Sequence, residues 1–561
     1  MRKTARSANA GCTSRPACSA CTARRIIAKS QAFGIMAAGI LLSVFTLCSC
    51  RSGAASRPAG QTVLELTVDT TIAYQTMHGF GASDAWSTQF VGRNWPAAKK
   101  TQIADWLFST ELDDQGNPAG IGLSIWRFNL GAGSAEQGLA SGIVDEWRRA
   151  ESFLQPDGTY DWNAAAGQRW FLQAAASRGV EHFIAFANSP PVAFTRNQRA
   201  FAASKQESNL APEHYTDYAQ YLTTVATELE KRDGIRLSAI SPFNEPQWDW
   251  TDGGQEGNPA WNRDIAAFVR LLDSRLSAAG LSTRIEVPEA AQLNFLYQNH
   301  GRPGRGNQAQ AFFDPDSAEY IGSLAHIQPT FTAHSYFTTW PLSTLAATRQ
   351  KAAETLRRLP APTGGKAPEL SISEYCILDK NNEISGPGRD LSMDTALYVS
   401  RIIHADLTIA NAVAWQWWLA VSPYDYKDGL VYIDRNTHDG AVQDSRLLWA
   451  LGNFARFIRP GMQRLELQRS DNGRLLQTLE AVMASAWQAP NSGSLVVVLV
   501  NYSDQEQKLR LQLPSIAEDS RLQRYLTDSA HSLDRISDLQ NGETWLLPAR
   551  SLVSLVYTPN T

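Results

Sequence analysis

The sequence predicts an α/β chain: a closed parallel (β/α)8 TIM barrel with a fused C-terminal β-sandwich side domain, which an N-terminal strand joins. Three observations carry this expectation. The chain has 561 residues, more than one hydrophobic core usually supports, so two structural units are expected. From about Gly79 to Gly452, short apolar runs alternate with amphipathic helical stretches, as repeated strand–helix units require. After Pro460 that alternation stops, and β-rich runs separated by Asn, Ser, Asp and Gly take its place.

Taken in order, residues 1–50 have the layout of an export signal. Arg24, Arg25 and Lys29 precede an apolar run over 32–48 that small residues follow. The run is short for a membrane-spanning helix. The order Leu47-Cys48-Ser49-Cys50 resembles a bacterial lipobox, with a small residue just before Cys50, the expected lipidation site; simple secretion is the alternative. Residues 51–61, rich in Gly, Ala and Ser, read as a flexible tether. The expected destination is the outer membrane or cell surface, otherwise the periplasm or medium. Five of the six cysteines lie within the first 50 residues, so the body beyond them has no pair to bridge.

The segment 62–75 reads as the strand that joins the side domain, its core being 63–68. The barrel is expected over 76–458, with strands at 76–79, 123–128, 182–187, 238–242, 284–288, 330–334, 369–373 and 412–417. Helical spacing fills the gaps. Tyr218, Tyr221, Leu222, Val225 and Leu229 recur along one face, as do Ile265, Phe268, Val269, Leu272 and Leu276, with Gly280 placed for a C-cap. An open doubly wound sheet is the alternative, weakened because no Gly-rich dinucleotide or phosphate loop follows any strand. The side domain is expected over 459–561, with strand-like runs at 475–484, 494–500, 507–513 and 545–557.

A net charge of −4 gives no electrostatic reason to expect nucleic acid, or a membrane surface beyond a lipid anchor. The nine histidines are scattered without a ligand pattern, so neither metal nor cofactor is expected. The 17 tryptophans are more telling. Several fall in strand-end loops, where rings beside polar groups suit stacking on sugar faces, although core packing is the plainer account of any one of them.

Two segments share one form, an apolar strand ending in Glu: Ser241-Pro242-Phe243-Asn244-Glu245-Pro246 and Leu370-Ser371-Ile372-Ser373-Glu374-Tyr375. In a (β/α)8 barrel all strands end on one face, where the active site forms. Counting strands puts Glu245 after the fourth and Glu374 after the seventh, facing one another across the mouth. Two such carboxyls, one protonated and one ionised, suit glycosidic cleavage, and a separation of about 5–5.5 Å gives double displacement with retention. Like charges that close raise one pKa, keeping the acid protonated.

The order His78-Gly-Phe-Gly-Ala-Ser-Asp84, Trp126-Arg-Phe-Asn129, Asn188-Ser-Pro-Pro191, Asn244-Glu-Pro246, His334-Ser-Tyr336, Ser373-Glu-Tyr375, Trp415-Gln-Trp-Trp418 and Leu451-Gly-Asn-Phe-Ala-Arg-Phe-Ile-Arg-Pro-Gly461 resembles glycoside hydrolase family 30. The resemblance implies a barrel with a side β-domain, retaining chemistry and no metal, with Glu245 as acid/base and Glu374 as nucleophile. It further implies that Asn244 bonds the sugar 2-hydroxyl, that Arg127 and Tyr336 support Glu374, that Asp84 and Asn188 contribute to sugar binding, and that Trp417 or Trp418 floors the subsite.

The wording Gly-Ala-Ser-Asp and Asn-Ser-Pro-Pro is closest to the endo-β-1,6-galactanase-like branch, so the expected partner is a β-linked polysaccharide or its oligosaccharides. Two departures bear on the substrate. Val192-Ala193-Phe194 follows the Ser-Pro motif of the third loop, where many relatives soon place Trp or another aromatic, and no Arg lies between Trp418 and Gly429, where glucuronate-reading xylanases of the family carry a basic residue. Alternatives are a β-1,6-glucanase or xylanase, or a silent carbohydrate-binding barrel. Cys376 reads as a packed core residue.

Overall fold

The computed structural model describes residues 62–361 and 367–559. The leader, the tether and Cys50 lie outside the described residues. The chain opens with β1 (Leu64–Thr76), which belongs to a nine-stranded sheet built otherwise from C-terminal strands. It then enters a barrel through β2 (Gly79–Ser83), followed by β3 (Ile125–Asn129), β4 (His182–Phe186), β5 (Ala239–Ser241), β6 (Arg284–Ala290), β7 (Ile327–His334), β8 (Glu369–Glu374) and β9 (Ala412–Ser422). These eight run parallel, each bonded to the next, and β9 closes on β2 through pairs such as Phe80 with Trp415. Two further strands, Gly429–Ile433 and Val442–Asp444, extend the sheet beyond β9.

Helices cover the outside, and their apolar faces are the periodic ones. The helix Tyr215–Asp233 buries Tyr218, Tyr221, Leu222, Val225 and Leu229, and ends at Gly234 in the left-handed region. The helix Asn262–Ala278 buries Ile265, Phe268, Val269, Leu272 and Leu276. Among the described residues, no helix is long and apolar enough to cross a membrane.

In the second sheet β1 lies between Gln463–Arg469, antiparallel, and Gln507–Gln512, parallel. Its strand Leu495–Asn501 is buried on both faces, which the period of two makes legible. Val496, Val498 and Val500 join the barrel's apolar cluster, whereas Leu495, Val497 and Leu499 join a separate core with Leu66, Leu509, Leu547 and Val553. Both ends of the sheet contribute to that second core, as in a sandwich. Asn453, on the helix Arg446–Ala455, ties barrel to sheet by donating to Tyr525 O and Ser554 Oγ.

Three expected strands need correction, the run 545–557 among them, since it is two strands, Thr544–Leu547 and Ser551–Tyr557, in different places in the sheet. Residues 76–79 do not start the barrel: β1 runs to Thr76, Met77 N–H bonds Met462 O, and the chain crosses between sheets at Met77–His78 before β2 begins. Residues 475–484 are not one strand. Leu475–Thr478 forms a helical turn that buries Leu479 beneath it, and the strand starts at Val482.

Candidate active site

Parallel closure brings the strand C-termini to one mouth, and six polar side chains converge there from five strands. Glu374 is the last residue of β8, and His334 the last of β7, paired with it in register. Arg127 comes from β3 and Glu289 from β6. Asn244 and Glu245 follow β5, where Glu245 takes a left-handed φ of 45° and its N–H bonds Glu289 O at 3.0 Å.

One carboxylate oxygen of Glu245 and one of Glu374 lie within 4.8 Å of each other. Each oxygen of Glu374 meets a donor: Arg127 Nη1 at 2.5 Å on Oε2, and Tyr336 OH at 2.9 Å on Oε1. Arg127 Nη2 also reaches Asn244 Oδ1 at 3.1 Å and Glu289 Oε2 at 3.0 Å, with its guanidinium 3.8 Å from the centre of the Phe186 ring. Asn244 Nδ2 donates to Asn188 Oδ1 at 3.0 Å. His334 bridges two carboxylates, Glu245 through Nδ1 at 2.9 Å and Glu289 through Nε2 at 3.0 Å.

The electrostatics follow from this crowding. Burial raises the Glu245 pKa, helped by the charge on Glu374, while His334 and Arg127 oppose the rise. Burial alone would lower the His334 pKa, but Glu374, Glu245 and Glu289 together lift it to about 10. At neutral pH His334 is therefore an imidazolium donating from both nitrogens. Burial would raise Glu289, yet Arg127, His334 and Ser373 outweigh it and hold its pKa low. With Glu245 protonated the cluster balances: Arg127 and His334 against Glu289 and Glu374. Glu245, His334 and Glu374 form the one group among the described residues with three ligand-type atoms close together, but both His334 nitrogens are already committed to carboxylates.

A cleft of about 610 Å³ opens over the pair. Trp86, Arg148, Trp418 and Tyr424 line one flank, and Trp248, Trp250, Gln255 and Phe337 the other. The second flank is anchored by Glu256, fully buried, which accepts from Ala132 N–H (3.0 Å), Ser134 N–H (3.3 Å) and Ser134 Oγ (2.6 Å). A separate cavity of about 540 Å³ lies at the N-terminal mouth, lined by residues such as His78 and Gln416. Glu286 is the only carboxyl in its lining, so it lacks the pair that glycosidic cleavage needs.

The remaining expected residues divide. Trp418 lines the cleft and meets Trp86 edge-on, with ring centroids 5.5 Å apart. Trp417 does not: it is 1 % exposed, stacks on Trp415 and donates to Asp428 O. An irregularity between Ala82 and Ser83, opposite Trp417 and Leu419, breaks the strand alternation and turns Trp418 toward the mouth. Asp84 and Asn188 lie behind the cleft wall. Asp84 Oδ1 accepts from Asn129 N–H and Gln168, Oδ2 has no partner in the protein, and burial raises its pKa to about 8. Cys376 is buried and 3.7 Å from Tyr336 OH, and burial pushes its thiol pKa well up.

Sequence reading missed Glu289, and gave His334 no role although it stands in a quoted motif. Glu289 is the penultimate residue of β6, close to the strand-then-Glu form that marked the other two, so part of the signal was present.

Residues 63–432 match the model of O-glycosyl hydrolase family 30. An endo-β-1,6-galactanase of Hypocrea rufa is 29% identical over 454 residues, 78% of this chain and 81% of that protein. A conserved exported protein from Bacteroides fragilis superposes with a TM-score of 0.82 at 33% identity, covering 88% of this chain and all of the other. The catalytic domain of xylanase C from Talaromyces cellulolyticus, at 23% identity and TM-score 0.62 over 88% of this chain and all of that one, shares the fold. With the motif order, the barrel and this match in agreement, the chain belongs to O-glycosyl hydrolase family 30 and hydrolyses β-linked glycosides.

Proposed function

We propose that the chain is an exported, retaining endo-hydrolase of β-1,6-linked galactan, with Glu245 as general acid/base and Glu374 as nucleophile. The observation that carries the mechanism is the carboxylate separation. An inverting enzyme holds its carboxyls roughly 6.5–9.5 Å apart and a retaining one about 5–5.5 Å, and an approach of one oxygen from each group to within 4.8 Å favours the shorter, retaining spacing. Glu374, oriented by Arg127 and Tyr336, attacks the anomeric carbon. His334 donates Nδ1–H to Glu245 Oε1, which leaves the proton on Oε2 for the departing oxygen. Glu245, now ionised, then draws a proton from water as that water displaces Glu374. One Nδ2 hydrogen of Asn244 goes to Asn188 and the other is available to the sugar 2-hydroxyl. Trp418 floors the subsite; Asn188 supports the bound sugar through Asn244, and Asp84, buried behind the wall, supports it indirectly by fixing Asn129 N–H and Gln168.

The substrate reading rests on the galactanase relative and on Lys427, the one basic residue between Trp418 and Gly429, being held away from the cleft lining by Pro387 O and Gly388 O. Arg148 favours a second reading. It is the one basic side chain lining the cleft, makes no ion pair among the described residues, and lies over the Trp86 and Tyr424 rings at 5.9 and 5.3 Å. A galactan bearing uronate groups would pair with it beside Asp428, on whose carboxyl it already acts. Hydrolysis of a panel of β-glycans with product analysis tests both. Release of β-1,6-galacto-oligosaccharides supports the assignment, and cleavage of xylan or β-1,6-glucan alone overturns it.

The exported relative and the leader layout support export, with Cys50 as lipid anchor. Palmitate labelling that Cys50→Ser abolishes supports the anchor; unlabelled wild type refutes it. The domain boundaries we favour are 62–76 and 459–561 for the side domain and 77–458 for the barrel, since Thr76 still pairs with Gln463.

A further inference from the structure

Four non-glycine residues around the cleft hold left-handed backbone: Glu245, Trp250, Glu289 and Phe337, with φ between 45° and 54°. That conformation is costly for L-residues and persists where the surroundings enforce it. For three of them a bond supplies the reason. Glu245 N–H bonds Glu289 O, Trp250 Nε1 donates to Glu245 O, and Glu289 N–H bonds Thr332 Oγ1. Phe337 is different. Its ring is 48 % exposed, meets Trp248 edge-on at 6.3 Å and 82°, and is tilted 44° to Tyr336 at 6.2 Å. A left-handed backbone that leaves a large apolar ring half in water calls for a use beyond core packing.

The two rings make an apolar corner, and both ends are fastened to the chemistry. Trp248 N–H bonds Glu245 O at 3.1 Å. Phe337 directly follows Tyr336, which holds Glu374. Glu256 clamps the segment that carries Trp248 against the loop after β3, so the corner is preorganised. Its place in the cleft decides what it meets. The opposite flank, with Trp86 and Trp418, rises from β2 and β9 beside β8 and Glu374. Trp248 rises after β5, three residues past Glu245, and Phe337, after β7, reaches that side by meeting Trp248. The acid proton must reach the oxygen that leaves, so the departing group lies on the Glu245 side.

We propose that Trp248 and Phe337 form a leaving-group subsite that stacks the sugar on the departing side of the scissile bond. The proposal rests on Glu245 being the acid and makes the enzyme an oligosaccharide-dependent, internally cutting one. Stacking held through the transition state raises turnover of sugars that fill the subsite, and does nothing for a leaving group too small to reach it.

The test compares β-1,6-galactotetraose with β-1,6-galactobiosyl fluoride, whose fluoride departs without occupying the corner. In Phe337→Ala the ratio of kcat/KM for the tetraose to that for the fluoride falls about tenfold, the scale of one lost ring face, and Phe337→Trp restores it. Thermal midpoints measured alongside separate this from misfolding. An unchanged ratio in a folded Phe337→Ala variant overturns the subsite. Wild-type enzyme that turns over neither substrate overturns the galactan reading instead, and with it any galactose-binding role for the corner.

Discussion

Glu289→Gln removes one negative charge from the heart of the site at almost constant volume. Glu289 Oε2 receives Arg127 Nη2, His334 Nε2 and Ser373 Oγ, each at 3.0 Å. A glutamine can accept some of these bonds but cannot balance two cations. Removing one partner of a buried ion pair costs about 3–5 kcal/mol, which sets the expected loss of stability. The functional effect has a definite sign. His334 stands at about 10 against an ordinary 6.5 because three carboxylates outweigh its burial. Its attractions therefore stabilise the fold fully below about pH 6.5 and are lost as pH rises through 10. With Glu289 neutral, one of those three supports is gone, and His334 falls back toward its ordinary value. The deficit of negative charge also makes Glu245 easier to ionise. Both changes move the alkaline limb of the kcat/KM profile to lower pH. The assay is kcat/KM from pH 4 to 10 for wild type and variant, with thermal midpoints over the same range. A profile that superimposes on wild type, or shifts to higher pH, would refute the claim that Glu289 sets the protonation of this site.

Three further expectations follow from the same contacts. Tyr336→Phe removes the hydroxyl that donates to Glu374 Oε1, a bond to a charged group worth about 1.5–3 kcal/mol; steady-state kinetics should show kcat down roughly 10–100-fold with the thermal midpoint nearly unchanged. Trp417→Ala empties a buried, hydrogen-bonded position and should cost about 3–5 kcal/mol in denaturant unfolding, whereas Trp418→Ala, at the cleft wall, should lose more in kcat/KM than in stability. Burial raises Glu256 from 4.5 to about 7. The folded form therefore holds its proton more tightly than the unfolded chain, so stability is complete below pH 4.5 and falls by roughly 3 kcal/mol as pH rises to 7. Glu256→Gln should flatten that slope in unfolding measurements.

The parts of the fold that depend on strict periodicity were legible. The helices Tyr215–Asp233 and Asn262–Ala278 bury the residues their spacing marks, and strand count alone brought Glu245 and Glu374 to one mouth. The failures have physical causes. Residues 76–79 fail as the first barrel strand because Thr76 still belongs to β1, paired with Gln463 far away in sequence, which no local window contains. The choice between Trp417 and Trp418 depends on an irregularity in the pairing of β2 with β9, and an alternation rule cannot register it. Glu289 escaped because its importance lies in its partners, Arg127 and His334, which converge only when the barrel closes.

The account stands or falls on Glu374 forming a bond to sugar. A 2-deoxy-2-fluoro β-galactoside with a reactive leaving group slows the second step, so the glycosyl-enzyme accumulates and can be digested and sequenced by mass spectrometry. The account predicts one added fluorosugar per chain, on the peptide containing Glu374, with NMR of the normal reaction showing a β-configured first product. A label on another residue, or a first product of α configuration, would contradict it.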